Sequence, residues 1–166
     1  MRYYLLLGGN EGDVDTTMAT ALRMLSEGDG EVVAVSRVFE SEAWGYTSAN
    51  AYHNVAAIVV TPVGPFAFLA FLKHVEHRLG RKSKTQDGEY HDRPIDIDIL
   101  LCDNETIRTE VLEIPHPRLA MRRFALAPLA EIAPDLWHPV FKKSISELLN
   151  ECEDPSIVTP TNHLRQ

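Results

Sequence analysis

Arg93-Pro94-Ile95-Asp96-Ile97-Asp98-Ile99-Leu100-Leu101 sets two aspartates into an otherwise apolar run. A β-branched stretch of this length reads as a strand over Ile95 to Leu101. Strand side chains alternate, so Ile95, Ile97 and Ile99 share one face while Asp96 and Asp98 project side by side from the other, about 6–7 Å apart at Cα. Upstream, Arg81 to Asp92 is polar without apolar periodicity and reads as a mobile loop of the kind that serves as a lid. Before that loop Pro65 opens a helix in which Phe68, Leu69, Leu72, Val75, His77 and Leu79 mix an apolar stripe with a polar face, and Gly80 ends it.

Farther towards the N-terminus, Val55 to Val60 is one strand, and Val32, Val33, Val35, Val38 and Phe39 form another; the glycine-containing stretch Trp44 to Asn50 joins them. Met18, Leu22 and Leu25 recur at helical spacing, Asp13 or Asp15 can cap that helix, and Gly28-Asp29-Gly30 breaks it. Tyr3 to Leu7 is a buried strand, after which Gly8-Gly9-Asn10 reads as a turn. Downstream of the aspartates, Pro115-His116-Pro117 introduces a helical segment that Pro128 and Pro134 constrain. The tail from Glu153, with Pro155 and Pro160, reads as loosely held. Four strands and two principal helices give the order β-α-β-β-α-β. That order predicts an α+β, ferredoxin-like sandwich with a C-terminal helical extension, one domain over residues 1–166.

A chain of 166 residues, 45% hydrophobic and 24% charged, can bury its own core without disulfides or a structural metal. Cys102 and Cys152 stand in unrelated contexts and read as incidental thiols. No apolar run approaches the roughly 18 residues of a membrane span, and the N-terminus lacks a cleavage site, which predicts a cytoplasmic protein without membrane association. The formal charge of −8 argues against nucleic-acid binding, which needs a basic face. Positive charge is nonetheless clustered, at Lys73, Arg78, Arg81, Lys82, Lys84 and Arg93 and again at Arg118, Arg122 and Arg123. Local basic clusters on an acidic protein suit a small polyanion.

Two adjacent carboxylates raise one another's pKa unless a cation sits between them. An all-oxygen donor set with no cysteine favours a hard ion, and Mg²⁺ is the usual choice where phosphates complete the shell. A solvated strand face would show the same alternation, but Arg93 and the basic clusters favour phosphate chemistry, since guanidinium groups stabilise the charge of phosphoryl transfer. In the Pro115–Phe124 segment, Arg118 and Arg122 fall four apart on one helical face, whose charge calls for a bound anion or acidic neighbours. No G-x-x-x-x-G-K-[ST] occurs, Gly8-Gly9-Asn10-Glu11-Gly12 lacks the dinucleotide-binding spacing, and His74-Val75-Glu76-His77 lacks the H-E-x-x-H order of a zinc site.

Four ordered motifs resemble the hydroxymethyldihydropterin pyrophosphokinase family, which acts before dihydropteroate synthase in making folate. They are Leu7-Gly8-Gly9-Asn10, Tyr52-His53-Asn54, Arg93 to Leu101, and Ile114-Pro115-His116-Pro117-Arg118 continuing through Arg122, Phe124, Pro128-Leu129 and Glu131 to Leu136. The resemblance spans nearly the whole chain. It implies that Asp96 and Asp98 hold two Mg²⁺ ions, with Arg81 and Arg93 meeting the phosphates of ATP, the co-substrate. It further implies nucleotide or phosphate contacts for Glu76, Ile99, His116 and Arg122. Tyr52 and Phe124 would sandwich 6-hydroxymethyl-7,8-dihydropterin and Asn54 would read its amide and amino edge, with Ser41 and Trp44 also on the pterin side.

Where the family carries Trp-Gly-Pro-Arg this chain has Tyr90-His91-Asp92-Arg93, and Ser41-Glu42-Ala43-Trp44 replaces Thr-Pro-Pro-aliphatic. The expected reaction is diphosphate transfer from ATP to the pterin hydroxymethyl group by a monomer. A γ-phosphoryl kinase or nucleotidyltransferase on the same aspartates, or a binding module without turnover, are the rivals.

Overall fold

The apolar run at the N-terminus becomes the centre of an antiparallel sheet. In the computed structural model, which describes residues 1–42, 50–80 and 94–165, β1 (Arg2–Gly9) lies between β4 (Tyr52–Val60) and β5 (Asp96–Cys102), antiparallel to both. Along the other side of β4 run β2 (Glu31–Val35) and β3 (Phe39–Ser41), and β10 (Val158–Pro160) pairs outside β3. The stretch from Val32 to Phe39 is thus two strands, not one. Ser36 separates them: its Oγ accepts the Ala56 N–H at 2.9 Å and donates to the Arg37 carbonyl at 2.8 Å, so a hydroxyl enters where the backbone ladder would continue.

Helix α1 (Val14–Glu27) starts at Asp13, whose carboxylate accepts the Thr16 N–H at 3.3 Å; of the two candidate caps, this is the one used. Helix α2 (Pro65–Arg78) has Pro65 at its first turn, and Gly80, at φ 103°, follows its end as expected. Both helices pack on one face of the sheet, against Leu5, Leu7, Val55, Ala57, Ile97 and Ile99. Tyr3 stacks on Phe68 of α2 with ring centroids 4.2 Å apart. The opposite face, carrying Tyr4, Leu6, Ala56 and Ile58, is covered by α3 (Arg123–Ile132) and α4 (Ile145–Glu151) through Leu126, Leu129, Ile145 and Leu148. Each buried side chain of this size stabilises the fold by about 1.5–3 kcal/mol. Two small hairpins complete the described elements: β6 (Ile107–Arg108) with β7 (Glu113–Ile114), which packs Ile114 into the core beneath α1 and α2, and β8 (Trp137–His138) with β9 (Lys143–Ser144), between α3 and α4 in the chain.

Three further expectations are corrected. Gly8 and Gly9 are strand residues at the end of β1, and the turn is made at Gly12, with φ 74°. Pro115 does not start a helix: only a 3₁₀ turn, Leu119–Met121, precedes α3, and Arg122 between them is extended at φ −122°, ψ 100°. Arg118 and Arg122 therefore bracket that short turn and do not share an α-helical face. The tail is held, because Arg123 donates to Asp154 and to the Cys152 carbonyl and β10 pairs with β3. Among the described residues no helix is long and apolar enough to cross a membrane.

Candidate active site

Register places the candidate residues. Gly8 faces Asp96 on one side and Asn54 on the other, so Asp96, Gly8 and Asn54 form one row across three strands. Asp98 stands in the next row opposite Leu6, and Tyr52 opposite Ser41. Directly paired residues point to the same face, and alternation puts Tyr52 and Asn54 on one face with Ala56. Asp96, Asp98, Asn54, Tyr52 and Ser41 thus share the face that carries α3, at its polar end. Asp96 and Asp98 are half-buried, while Asn54 and Ser41 are buried. Asn54 Nδ2 donates to Ser41 Oγ at 3.5 Å. Gly8 lacks a side chain for a steric reason: a Cβ there would fall inside the van der Waals surface of Asn54 Oδ1. The sequence signal is the first glycine of Leu7-Gly8-Gly9-Asn10, which by itself reads as a turn residue.

The intervening His53 faces the other way and bonds Asp15 of α1 through Nδ1 at 2.7 Å. One residue of the Tyr52-His53-Asn54 motif therefore fastens α1 while its neighbours face the site. The first turn of α3 shows the same division. Arg122 carries its guanidinium carbon 5.4 Å from the centroid of the Phe124 ring, a cation–π pair. Arg123 turns away to bind the tail, its backbone N–H and Nε reaching Asp154 at 3.0 Å each and its Nη2 reaching the Cys152 carbonyl at 2.9 Å. Burial pushes the Asp154 carboxyl up, but hydrogen bonds from Ser156 and Arg123 together with the charge of Arg123 outweigh it and hold it below its ordinary range. At the far end of α3, Glu131 takes the Arg37 backbone N–H at 2.9 Å and its Nε at 3.1 Å, fixing the helix to the linker between β2 and β3.

The outer edge of β5 is covered from two directions. Glu76 of α2 accepts the Ile97 N–H at 2.7 Å through Oε2, and the His116 N–H donates to the Leu100 carbonyl at 2.9 Å. His116 Nδ1 in turn accepts the Arg118 N–H at 3.1 Å, and its ring lines a cavity of about 180 Å³ between the two small hairpins, facing His138 and Phe141. Ile99 is buried on the opposite face of β5, against the α1 and α2 layer. Trp44, Arg81 and Arg93, like the Tyr90-His91-Asp92 departure and the expected lid, lie outside the described residues. Sequence reasoning missed Gly8, the Arg123 clamp and the two-sided use of Tyr52-His53-Asn54, since each depends on a partner distant in the chain.

A sequence profile of the 7,8-dihydro-6-hydroxymethylpterin-pyrophosphokinase (HPPK) family matches residues 4–134. The chain is 39% identical over 137 residues to the 2-amino-4-hydroxy-6-hydroxymethyldihydropteridine pyrophosphokinase of Porphyromonas gingivalis, covering 82% of this chain and 92% of that one. It is also 39% identical to the Aquifex aeolicus protein of the same name, over 89% of this chain and 90% of its relative. A solved HPPK-DHPS in complex with substrates superposes with a TM-score of 0.71 at 16% identity, over 90% of this chain and 43% of the larger one. The Plasmodium falciparum HPPK-DHPS wild type gives 0.67, over 90% of this chain and 40% of that chain. At such identity these two report the fold, and this chain spans less than half of their length. With the family profile covering most of its residues, the chain belongs to the 7,8-dihydro-6-hydroxymethylpterin-pyrophosphokinase family.

Proposed function

We propose that the chain transfers the diphosphate of ATP to the hydroxymethyl group of 6-hydroxymethyl-7,8-dihydropterin, giving AMP and the pterin diphosphate, as a single domain over residues 1–166. The observation that carries this reading is the polar end of one sheet face, where Asp96 stands in line with Gly8 and Asn54 and Asp98 follows in the next row. The strand order β5-β1-β4-β2, with α1 and α2 on one face, supports a ferredoxin-like frame beneath it.

The donor set fits a hard cation. Asp96 and Asp98 occupy successive positions on one strand face, and among the described residues no cluster of three or more His, Cys, Asp or Glu forms an all-protein cage. Such a pair suits Mg²⁺, which keeps most of its shell for phosphate oxygens and water. When bound, Mg²⁺, as two ions, would neutralise the charge that gathers on the phosphates during transfer.

The chain's own residues do the rest. Asn54 presents an acceptor and a donor to the amide and amino edge of the pterin, and Tyr52 and Phe124 supply flat apolar surface for its ring. Ser41 and Trp44 complete the pterin side. Arg122 and His116 meet the nucleotide phosphates, with Glu76 and Ile99 near the nucleotide and Arg81 and Arg93 joining from outside the described residues. The hydroxymethyl oxygen attacks the β-phosphorus in line with departing AMP, and the Asp96 carboxylate takes its proton. The reading includes a monomer in the cytoplasm.

The test is a product assay with ATP, Mg²⁺ and the pterin. AMP and pterin diphosphate should appear in equal amounts and vanish with EDTA. ADP in their place would make the chain a γ-phosphoryl kinase, and binding of both ligands without either product would make it a silent module.

A further inference from the structure

Among the described residues Glu76 is the one buried carboxylate, only 4% exposed. Its placement is specific. Among the described residues β5 ends the sheet, its outer edge without a neighbouring strand in the order β10-β3-β4-β1-β5. On that edge Glu76 Oε2 takes the N–H of Ile97, at 2.7 Å, and Ile97 is the residue between Asp96 and Asp98. We propose that Glu76 is a positioning residue, aiming the Asp96–Asp98 pair through the backbone of Ile97. This inference rests on the reading of the two aspartates as a cation-holding pair.

A bond from a carboxylate to a backbone amide is short and charge-assisted, roughly twice as strong as a neutral one. Its donor here belongs to the residue about which the strand pleats, and the Cα–Cβ directions of both aspartates follow from the orientation of that peptide and the next. Its acceptor belongs to a stiff support, since α2 is anchored by Phe68, Leu72 and Val75 in the core beneath the sheet. On the inner side β5 is fixed by its pairing with β1, where Gly8 opposes Asp96 and Leu6 opposes Asp98. Glu76 supplies the matching restraint on the outer side, so the segment is held from both edges. Outer groups that orient metal-holding side chains typically change metal affinity by about 10- to 100-fold when removed.

The test compares the full chain with three variants, Glu76→Gln, Glu76→Leu and Glu76→Asp. Mn²⁺ binding in the presence of a non-hydrolysable ATP analogue is followed by electron paramagnetic resonance, and exchange of the Ile97 amide by NMR. Glu76→Leu should weaken Mn²⁺ binding by about tenfold or more and expose the Ile97 amide to exchange. Glu76→Gln keeps an acceptor oxygen at the same reach and should stay within about threefold on binding, with the amide still protected. Glu76→Asp keeps the charge but falls a methylene short, so it should behave like Glu76→Leu, and it stands in for that variant if the latter does not fold. Unchanged Mn²⁺ binding in Glu76→Leu or Glu76→Asp would overturn the inference. So would a Glu76→Gln loss as large as that of Glu76→Leu with Ile97 still protected, because the charge would then act directly on the ligand. A wild-type chain that binds no Mn²⁺ with the nucleotide analogue would overturn the reading of the aspartates themselves, a separate outcome from a wild type that binds and variants that bind equally.

Discussion

On its back face β5 presents Ile97 and Ile99 to the core beneath α1 and α2; on its front face, one residue out of step, it presents half-buried Asp96 and Asp98. The front face then changes character along the strand. A bulge at Leu100, between the pairs Ile99 with Leu5 and Leu101 with Tyr4, turns Leu100 and Leu101 both towards the α3 layer and returns Cys102 to the back. Burial then pushes the Cys102 thiol, aided by Asp103, up to about 11, so it is an inert part of the packing. Two kinds of restraint thus meet within the seven residues of β5. The back face is specified by volume and tolerates no hole. The front face is specified by chemistry, and its residues are held by neighbours that do no chemistry.

Substitutions should therefore fail differently on the two faces. The largest effect belongs to Asp98→Ala, expected to lower turnover by about a thousandfold, the loss of several kcal/mol of charge stabilisation, while the thermal midpoint moves by no more than about 2 °C. Near-normal Mg²⁺-dependent turnover in that variant would abolish the contrast. Next is Leu72→Ala, fully buried in α2 beneath the back face. It should cost about 2–5 kcal/mol in urea unfolding while the folded fraction keeps its turnover, and the reverse pattern would mean that the back face takes part in the chemistry.

Gly8→Ala acts within the front face alone, since the added methyl must displace the Asn54 carboxamide. Pterin affinity should fall about tenfold with nucleotide affinity unchanged, an overpacking effect of about 1–2 kcal/mol. Calorimetry with each ligand separates the two, and equal losses would remove Asn54 from the pterin side.

The smallest effect concerns pH and lies away from both faces. Burial lowers the pKa of His138 below its ordinary 6.5, and its Nδ1 accepts the N–H groups of Val140 at 3.3 Å and Phe141 at 3.1 Å. Protonation removes that acceptor. With the folded pKa below the unfolded one, the unfolded chain binds more protons between the two values. The contribution of His138 to stability is then present above pH 6.5 and lost as the pH falls through its folded value. Urea midpoints at pH 7 and pH 5.5 should differ less in His138→Asn than in the wild type, and equal differences would place the acid sensitivity elsewhere.

How much of this was legible depends on how far each partner lies along the chain. The facing of Ile95, Ile97 and Ile99 against Asp96 and Asp98 follows from strand alternation alone, and the structure has it. Asp13 as cap, Pro65 at a first turn and Gly80 after a helix are likewise local, because each acts on backbone groups within a turn. The errors lie where a distant group overrides a local pattern. Val32 to Phe39 looks continuous until the Ser36 hydroxyl takes a ladder position from Ala56. Arg118 and Arg122 have helical spacing, yet His116 binds the Leu100 carbonyl through its backbone and only one short turn fits before α3. The tail has the composition of a loose end but carries Asp154 to Arg123 and a strand to β3.

Local pattern alone places the strands at Tyr3 to Leu7, Val55 to Val60 and Ile95 to Leu101, the two principal helices and the side of β5 on which two carboxylates stand, because these are properties of chain geometry repeated every two or 3.6 residues. The ordered motifs of the sequence also sufficed to reach the family. It takes the folded chain to show that Asn54 lies across Gly8, that Glu76 bonds the peptide between the aspartates, and that Arg122 faces Phe124 while Arg123 clamps the tail. Those neighbours come from sheet register and helix packing, which are settled by burial summed over the whole chain and leave no period in any one segment.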